Sequence, residues 1–303
     1  MMKKSQILLE SGTNEVEILE FTIGAQHYGI NVAKIMELMK SHEVTPMPNS
    51  NPYVEGIFSP RNTVLTLFNL PAYLGQPESE DAANDIFILT NFNKVHAAFR
   101  VHAVVEIHRL SWTSIEKPDS AIYGGQDGLA TGIARIDDRL ITIIDFEKIL
   151  QDISPDTGVN LEDLEKTLGE RTRSDKPILL AEDSNVLNRM LVDALTQAGY
   201  TNITMCSNGQ ETWDVLLQYK ESGVPITDLV SLVITDIEMP QMDGHRLLKL
   251  IRDDEVLKDM PVIVFSSIID EKMRLKGEKL GATAQLSKPE IANLIDMVDA
   301  HIL

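Results

Sequence analysis

Apolar and polar positions follow two different rhythms along this chain. In Val16 to Ile23, Val64 to Leu70, Ile86 to Thr90, Val95 to Glu106, Leu129 to Ile136 and Leu140 to Ile144 they partly alternate in short runs. Gly24, Pro71, Gly75, Gly124-Gly125 and Asp137-Asp138 punctuate these runs. Alternate residues of a strand share a face, so runs of this kind bury one side against a core. Many short strands at close intervals predict a mainly β, barrel-like first domain. One stretch departs from that rhythm: Val32, Ile35, Met36 and Met39 follow Asn31 at i, i+3, i+4 and i+7, which predicts a short capped helix.

Further along, apolar runs alternate with helical periodicity. Pro177 to Ala181, Ile203 to Ser207, Leu229 to Thr235, Val262 to Ser266 and the weaker Thr283 to Ser287 read as strands. Val186, Leu187, Met190, Leu191, Ala194 and Leu195 trace an amphipathic helix, and 208–221, 243–252, 270–280 and 289–302 are consistent with four more. Strands alternating with helices predict an α/β domain, a parallel sheet covered on both faces. Between the two rhythms lies a polar stretch with Pro155, Gly158 and Gly169, in which Leu161, Leu164 and Leu168 fall at helical spacing. A turn or two of helix there is too short to be stable alone. The expected organisation is a first domain over 1–152, a linker over 153–174 and a second domain over 175–303.

Composition narrows the functional classes. A formal charge of −19, shared between both halves, argues against an electrostatic nucleic-acid binder, and 43% hydrophobic residues argue against a mainly disordered chain. No apolar stretch approaches bilayer length. The basic start Lys3-Lys4 is followed by only Ile7-Leu8-Leu9 before Glu10, too little for a secretion signal, so the expected compartment is cytoplasmic. The single cysteine, Cys206, falls in a core strand and reads as inert packing.

Chemistry concentrates at strand ends in the second half. Ile178-Leu179-Leu180-Ala181 runs into Glu182-Asp183, Leu232-Val233-Ile234-Thr235 into Asp236, and the fifth strand reaches Ser287-Lys288, while the fourth delivers Ser266-Ser267. Ligands of open parallel sheets sit at the carboxyl ends of strands, where these groups converge if the sheet is parallel. Clustered carboxylates raise one another's pKa unless a cation neutralises them, and oxygen donors without His or Cys favour Mg²⁺. An aspartate held against such an ion with a lysine opposite has the makings of a nucleophile toward phosphorus. Taken singly, each pick has a plainer reading: Glu182-Asp183 as an acidic helix start, Asp236 as a cap, Lys288 as an exposed lysine. Their joint placement is what favours a site.

The strings LLAEDSN, VITDIEMPQMDG, VIVFSS and QLSKP, in this order and spacing, resemble the receiver domain of two-component response regulators. That resemblance implies a flavodoxin-like fold. It also implies Asp236 as phosphoacceptor, Glu182 and Asp183 as the acidic pair around Mg²⁺, Glu238 as a ligand through its backbone carbonyl, Ser266 as switch hydroxyl and Lys288 as the phosphate-contacting lysine. Gln285 stands where such domains usually carry an aromatic switch residue.

The first half has no comparable set. His96, His102 and His108, spaced by six, read as surface histidines because no Cys or paired carboxylate accompanies them in sequence. Tyr123 to Gly128 reads as a turn, since no Gly-Lys-Ser/Thr follows. EVEILEFTIGAQHYGINVAKIMEL, VTPMPNSNPYVEGIFSPRNTVLTLFNLPAYLG and ATGIARIDDRLITIIDFEKIL resemble the CheW-like coupling family, two small SH3-like β-barrels without catalytic activity. The resemblance places Ile35, Glu37, Gly56 and Arg61 where that family contacts chemoreceptors or the kinase. Ile35 is equally consistent with core packing, and Asn62 stands where a glycine usually follows the arginine. The two halves together resemble the CheV family of chemotaxis adaptors. Implied partners are a CheA-type histidine kinase and methyl-accepting chemoreceptors, with association to membrane receptor arrays, no nucleic acid and no membrane insertion; the chain is expected not to be a dedicated enzyme.

Two alternatives differ in discriminating features. A haloacid-dehalogenase-like phosphatase places its nucleophile on the first strand and its acidic pair last, whereas here the pair comes first and Glu238 occupies the second-aspartate position. A response regulator with DNA-binding output needs a basic recognition helix, which this chain does not offer.

Overall fold

The computed structural model describes residues 14–92, 95–117, 128–154, 174–267, 271–288 and 290–302. The leucines at 161, 164 and 168 and most of the Tyr123 to Gly128 turn lie outside them. The chain divides into two compact units, one spanning most of 16–158 and the other most of 159–303. No helix among the described residues is long and apolar enough to cross a membrane.

The first unit is built on two antiparallel-rich sheets. Its strands are β1 (Glu15–Ile23), β2 (Gln26–Asn31), β3 (Ile35–Lys40), β4 (Val54–Phe58), β5 (Leu65–Asn69), β6 (Ile86–Phe92), β7 (Val95–Val101), β8 (Ala103–Ser111), β9 (Ile115–Glu116), β10 (Ala130–Ile136) and β11 (Arg139–Ile144). They order as β8-β1-β2-β11-β10-β9 and β3-β6-β7-β5-β4. Alternation explains the packing of the second sheet: Ile88, Phe68 and Phe99 face a core shared with Phe21, Ile30 and the helix Phe146–Ile153, while Phe87, Leu67 and Ala98 face a smaller one with Phe58. That helix buries Phe146, Ile149, Leu150 and Ile153 at helical spacing, and the Asp145 carboxylate caps it by accepting from the Glu147 and Lys148 amides.

The helix expected after Asn31 does not form. Asn31 does cap, accepting from the Ala33 amide, but only the 3-10 turn Val32–Lys34 follows before the chain extends into β3. Ile35, Glu37 and Met39 are half-buried and Met36, Leu38 and Lys40 exposed, a period of two that matches antiparallel pairing with β6. Pairing to a formed sheet satisfies the backbone along the whole segment, and that outweighs a helical spacing carried by four residues.

The second unit is a five-stranded parallel sheet. Its strands are β12 (Ile178–Ala181), β13 (Ile203–Cys206), β14 (Leu232–Thr235), β15 (Val262–Ser266) and β16 (Ala284–Ser287), in the order β13-β12-β14-β15-β16. Helices Asn185–Gln197 and Ile291–Ile302 cover one face, and Gly209–Glu221 and Gly244–Asp253 the other. Ile178 and Leu180 pack to the first, Leu179 and Ala181 to the second, so the apolar runs are buried on both sides. This is the flavodoxin-like arrangement. Strand order reverses at β12, which opens a crevice beyond the carboxyl ends of β12 and β14. Cys206 is buried, and burial pushes its thiol up to about 11.

Candidate functional site

Three strand ends fill that crevice. β12 and β14 run in parallel register, Ala181 opposite Thr235, so the next residues, Glu182 and Asp236, emerge together. Both are buried, and one carboxylate oxygen each from Glu182, Asp183 and Asp236 lies within 4.8 Å of the others. Lys288, directly after β16, crosses to them: its Nζ donates to Glu182 Oε2 at 2.7 Å and to Asp236 Oδ2 at 2.9 Å. Lys288 is 4% exposed, which removes the reading of an ordinary surface lysine.

Backbone and neighbours fix these groups. Asp236 Oδ1 accepts from the Ile237 amide at 2.6 Å, so both of its oxygens are oriented. Glu182 Oε1 accepts from the Ser184 amide, and its carbonyl accepts from Asn188 Nδ2 at 2.9 Å. Ser184 also caps the first helix, accepting from the Leu187 amide. Burial pushes the Glu182 carboxyl up, Lys288 pulls it down and Asp236 pushes it up again, leaving it at about 7. The acid pair is therefore a helix start and part of the cluster at once. Ser266, at the end of β15, is 1% exposed, and its Oγ has no hydrogen-bond partner among the described residues. Glu238 lies half-buried on the loop two residues past Asp236.

Several contributors were invisible in the sequence. Asn188 holds the Glu182 carbonyl, Thr235 Oγ1 donates to the Asp236 carbonyl at 2.8 Å, and His245 is buried at the start of its helix close enough to feel the Asp236 charge. Gln285 fills a notch: its Nε2 donates to the Arg274 carbonyl at 2.8 Å, and a Cβ on Gly277 would fall 2.1 Å from its Oε1.

In the first unit, Glu37 and Gly56 both sit at β-bulges, between β3 and β6 and between β4 and β5. Arg61, in left-handed backbone at φ 49°, is 81% exposed at its side chain and donates to Glu37 at 2.7 Å. Exposed Met36 and Leu38 belong to the same edge strand. Ile35 is half-buried against the core. Gly56 is buried at φ 150°, where a Cβ would lie 2.2 Å from the Thr45 carbonyl oxygen, so its place reflects backbone approach. The histidines correct the sequence reading. His96 is exposed, but His102 Nδ1 accepts from the Gly24 amide and His108 reaches the fully buried Glu20. β7 and β8 break at His102, and the pairing of β8 with β1 brings the distant Glu20 carboxylate to His108.

Comparison with known proteins agrees with this two-part architecture. The CheW-like domain family matches residues 17–154 and the response regulator receiver domain family 178–299. The chemotaxis protein CheV3 of Helicobacter pylori is 30% identical over 93% of this chain and 96% of its own length. This chain belongs to the CheV family. CheV2 of the same organism is 28% identical over 94% of each chain, and the CheW protein of Thermotoga maritima is 27% identical over 50% of this chain and 98% of its own. Among solved structures, the scaffolding protein TtCheW of Thermoanaerobacter tengcongensis shares 24% identity, covering 43% of this chain and 89% of its own, at a TM-score of 0.40. Vibrio cholerae CheY4 shares 22% over 43% of this chain and 100% of its own, at 0.36. As a CheV-family member the chain is a chemotaxis adaptor that joins a coupling domain to a receiver. Receiver domains in general bind Mg²⁺ in an acidic pocket, and the donor set here fits: three carboxylates, no His or Cys, and net negative charge against one ammonium.

Proposed function

We propose that Asp236 accepts a phosphoryl group from the phosphohistidine of a CheA-type kinase, and that the receiver state so produced tunes how the CheW-like half couples that kinase to methyl-accepting chemoreceptors, or drains phosphate from it. The observation carrying this reading is the Lys288 ammonium shared between Glu182 and Asp236 inside a buried acidic crevice. Glu182, Asp183, Asp236 and the Glu238 backbone carbonyl would hold Mg²⁺, which when bound offsets the charge of phosphoryl oxygens. Asp236 is poised as nucleophile because the Ile237 amide and Lys288 fix its carboxylate. A bond forms from an Asp236 oxygen to phosphorus as the phosphorus–nitrogen bond breaks, the electron pair returning to the imidazole. Lys288 offsets charge on the transferred group, and the Ser266 hydroxyl is available to donate to it. The 1–152 half docks through Glu37 and Arg61, with Ile35 and Gly56 shaping the strands beneath. The protein works in the cytoplasm at receptor arrays as an adaptor, not as a turnover enzyme. Incubating full-length protein and Asp236→Ala with phosphorylated kinase and Mg²⁺ tests this: label moves to wild type and not to the variant. Equal labelling of both would overturn the assignment.

A further inference from the structure

A second cluster, in the CheW-like half, has the chemistry of a different metal. Glu20 comes from β1, His27 from β2, Glu106 and His108 from one face of β8, and Arg139 from the start of β11, four strands that neighbour one another in one sheet. Glu20 is fully buried, and a buried carboxylate is costly unless its charge is balanced at close range. Each of its oxygens meets one imidazole: Oε1 with His27 Nδ1 and Oε2 with His108 Nε2, both at 2.6 Å. His108 Nε2 also lies 3.7 Å from Glu106 Oε1. The guanidinium of Arg139 approaches Glu20 and Glu106 only to 3.6 and 3.7 Å, too far for hydrogen bonds, and its side chain is 38% exposed, with solvent on one side.

Ligand atoms of Glu20, Glu106 and His108 all lie within 4.8 Å of one another. Neighbouring donors around tetrahedral zinc are separated by about 3.3 Å, given bonds of about 2.0 to 2.2 Å. The observed spacings bracket that value, and a mixed nitrogen and oxygen donor set suits zinc where an all-oxygen set suits magnesium. His27, on the far oxygen of Glu20, is placed to orient that ligand as outer hydrogen-bond partners of metal sites do.

We propose that Glu20, Glu106 and His108 bind one Zn²⁺ at the rim of the CheW-like half, with His27 orienting Glu20, a fourth position left to water, and Arg139 displaced by the metal. The test uses full-length protein stripped with chelator and held in excess Mg²⁺, which occupies the receiver acids. Zn²⁺ binding is followed by calorimetry, and Co²⁺ serves as a visible-absorption probe of tetrahedral geometry. One ion per chain should bind, His108→Gln should weaken binding at least about tenfold, and Glu106→Gln, an exposed position that does not threaten folding, should weaken it as well. Arg139→Gln should tighten it by removing the competing cation. Absence of binding, binding unaffected by His108→Gln and Glu106→Gln, or binding confined to Arg139→Gln would each overturn the proposal; the last would make the cluster a closed ion pair.

Discussion

Lys288 follows the last residue of the edge strand β16, and its ammonium reaches across the crevice to Glu182 and Asp236. A lysine this deep is tolerated only when paired, because an unpaired buried charge costs several kcal/mol. His245 solves the same problem the other way, by staying neutral. It is 1% exposed, its Nε2 has no hydrogen-bond partner among the described residues, and burial together with the Lys276 charge pushes its pKa down to about 3. The unfolded chain takes up a proton here below about 6.5 while the folded chain resists, so stability present above that pH is lost as pH falls. From about pH 5.5 to about pH 4 wild type should lose about 1.4 kcal/mol per pH unit more than His245→Leu. Urea unfolding across that range measures it, and parallel curves for the two proteins would contradict the account.

At the scale of elements, strand β3 and the loop carrying Arg61 form the face that we propose docks the adaptor half. The bulges at Glu37 and Gly56 re-aim the chain locally, and Arg61 projects from a left-handed turn toward Glu37. Exposed surface ion pairs contribute little to stability, so this one can be changed without unfolding the sheet. Arg61→Glu should therefore lower co-sedimentation with receptor arrays several-fold and leave phosphoryl uptake intact; unchanged sedimentation would remove Arg61 from the surface. The sequence disclosed elements unevenly. Buried parallel strands announce themselves as apolar runs, so all five in the second half were legible, even the weak β16. β3 was not, because Ile35, Met36 and Met39 suit a helix as well as a strand and only pairing with β6 decides. β2 and β4 were missed because glycine and polar residues break their alternation.

Across the whole molecule, each unit carries its own core and its own cluster of charged side chains. The convergence of Glu182, Asp183, Asp236 and Lys288 could be read from sequence because strand-end placement is a one-dimensional signal. Asn188, Thr235 and His245 could not, since their roles depend on contacts made only after helices pack. The same holds for Glu20 and His108, separated by most of the first unit and joined by the pairing of β1 with β8. If the acids and the lysine form one phosphoacceptor site, phosphorylation falls on Asp236 and on no other aspartate. Borohydride reduction of the phosphorylated chain tests it most directly, because it converts an aspartyl phosphate into homoserine whose position peptide mass spectrometry can read. The account requires homoserine at position 236; homoserine at another aspartate, or none in a chain that carries label, would contradict it.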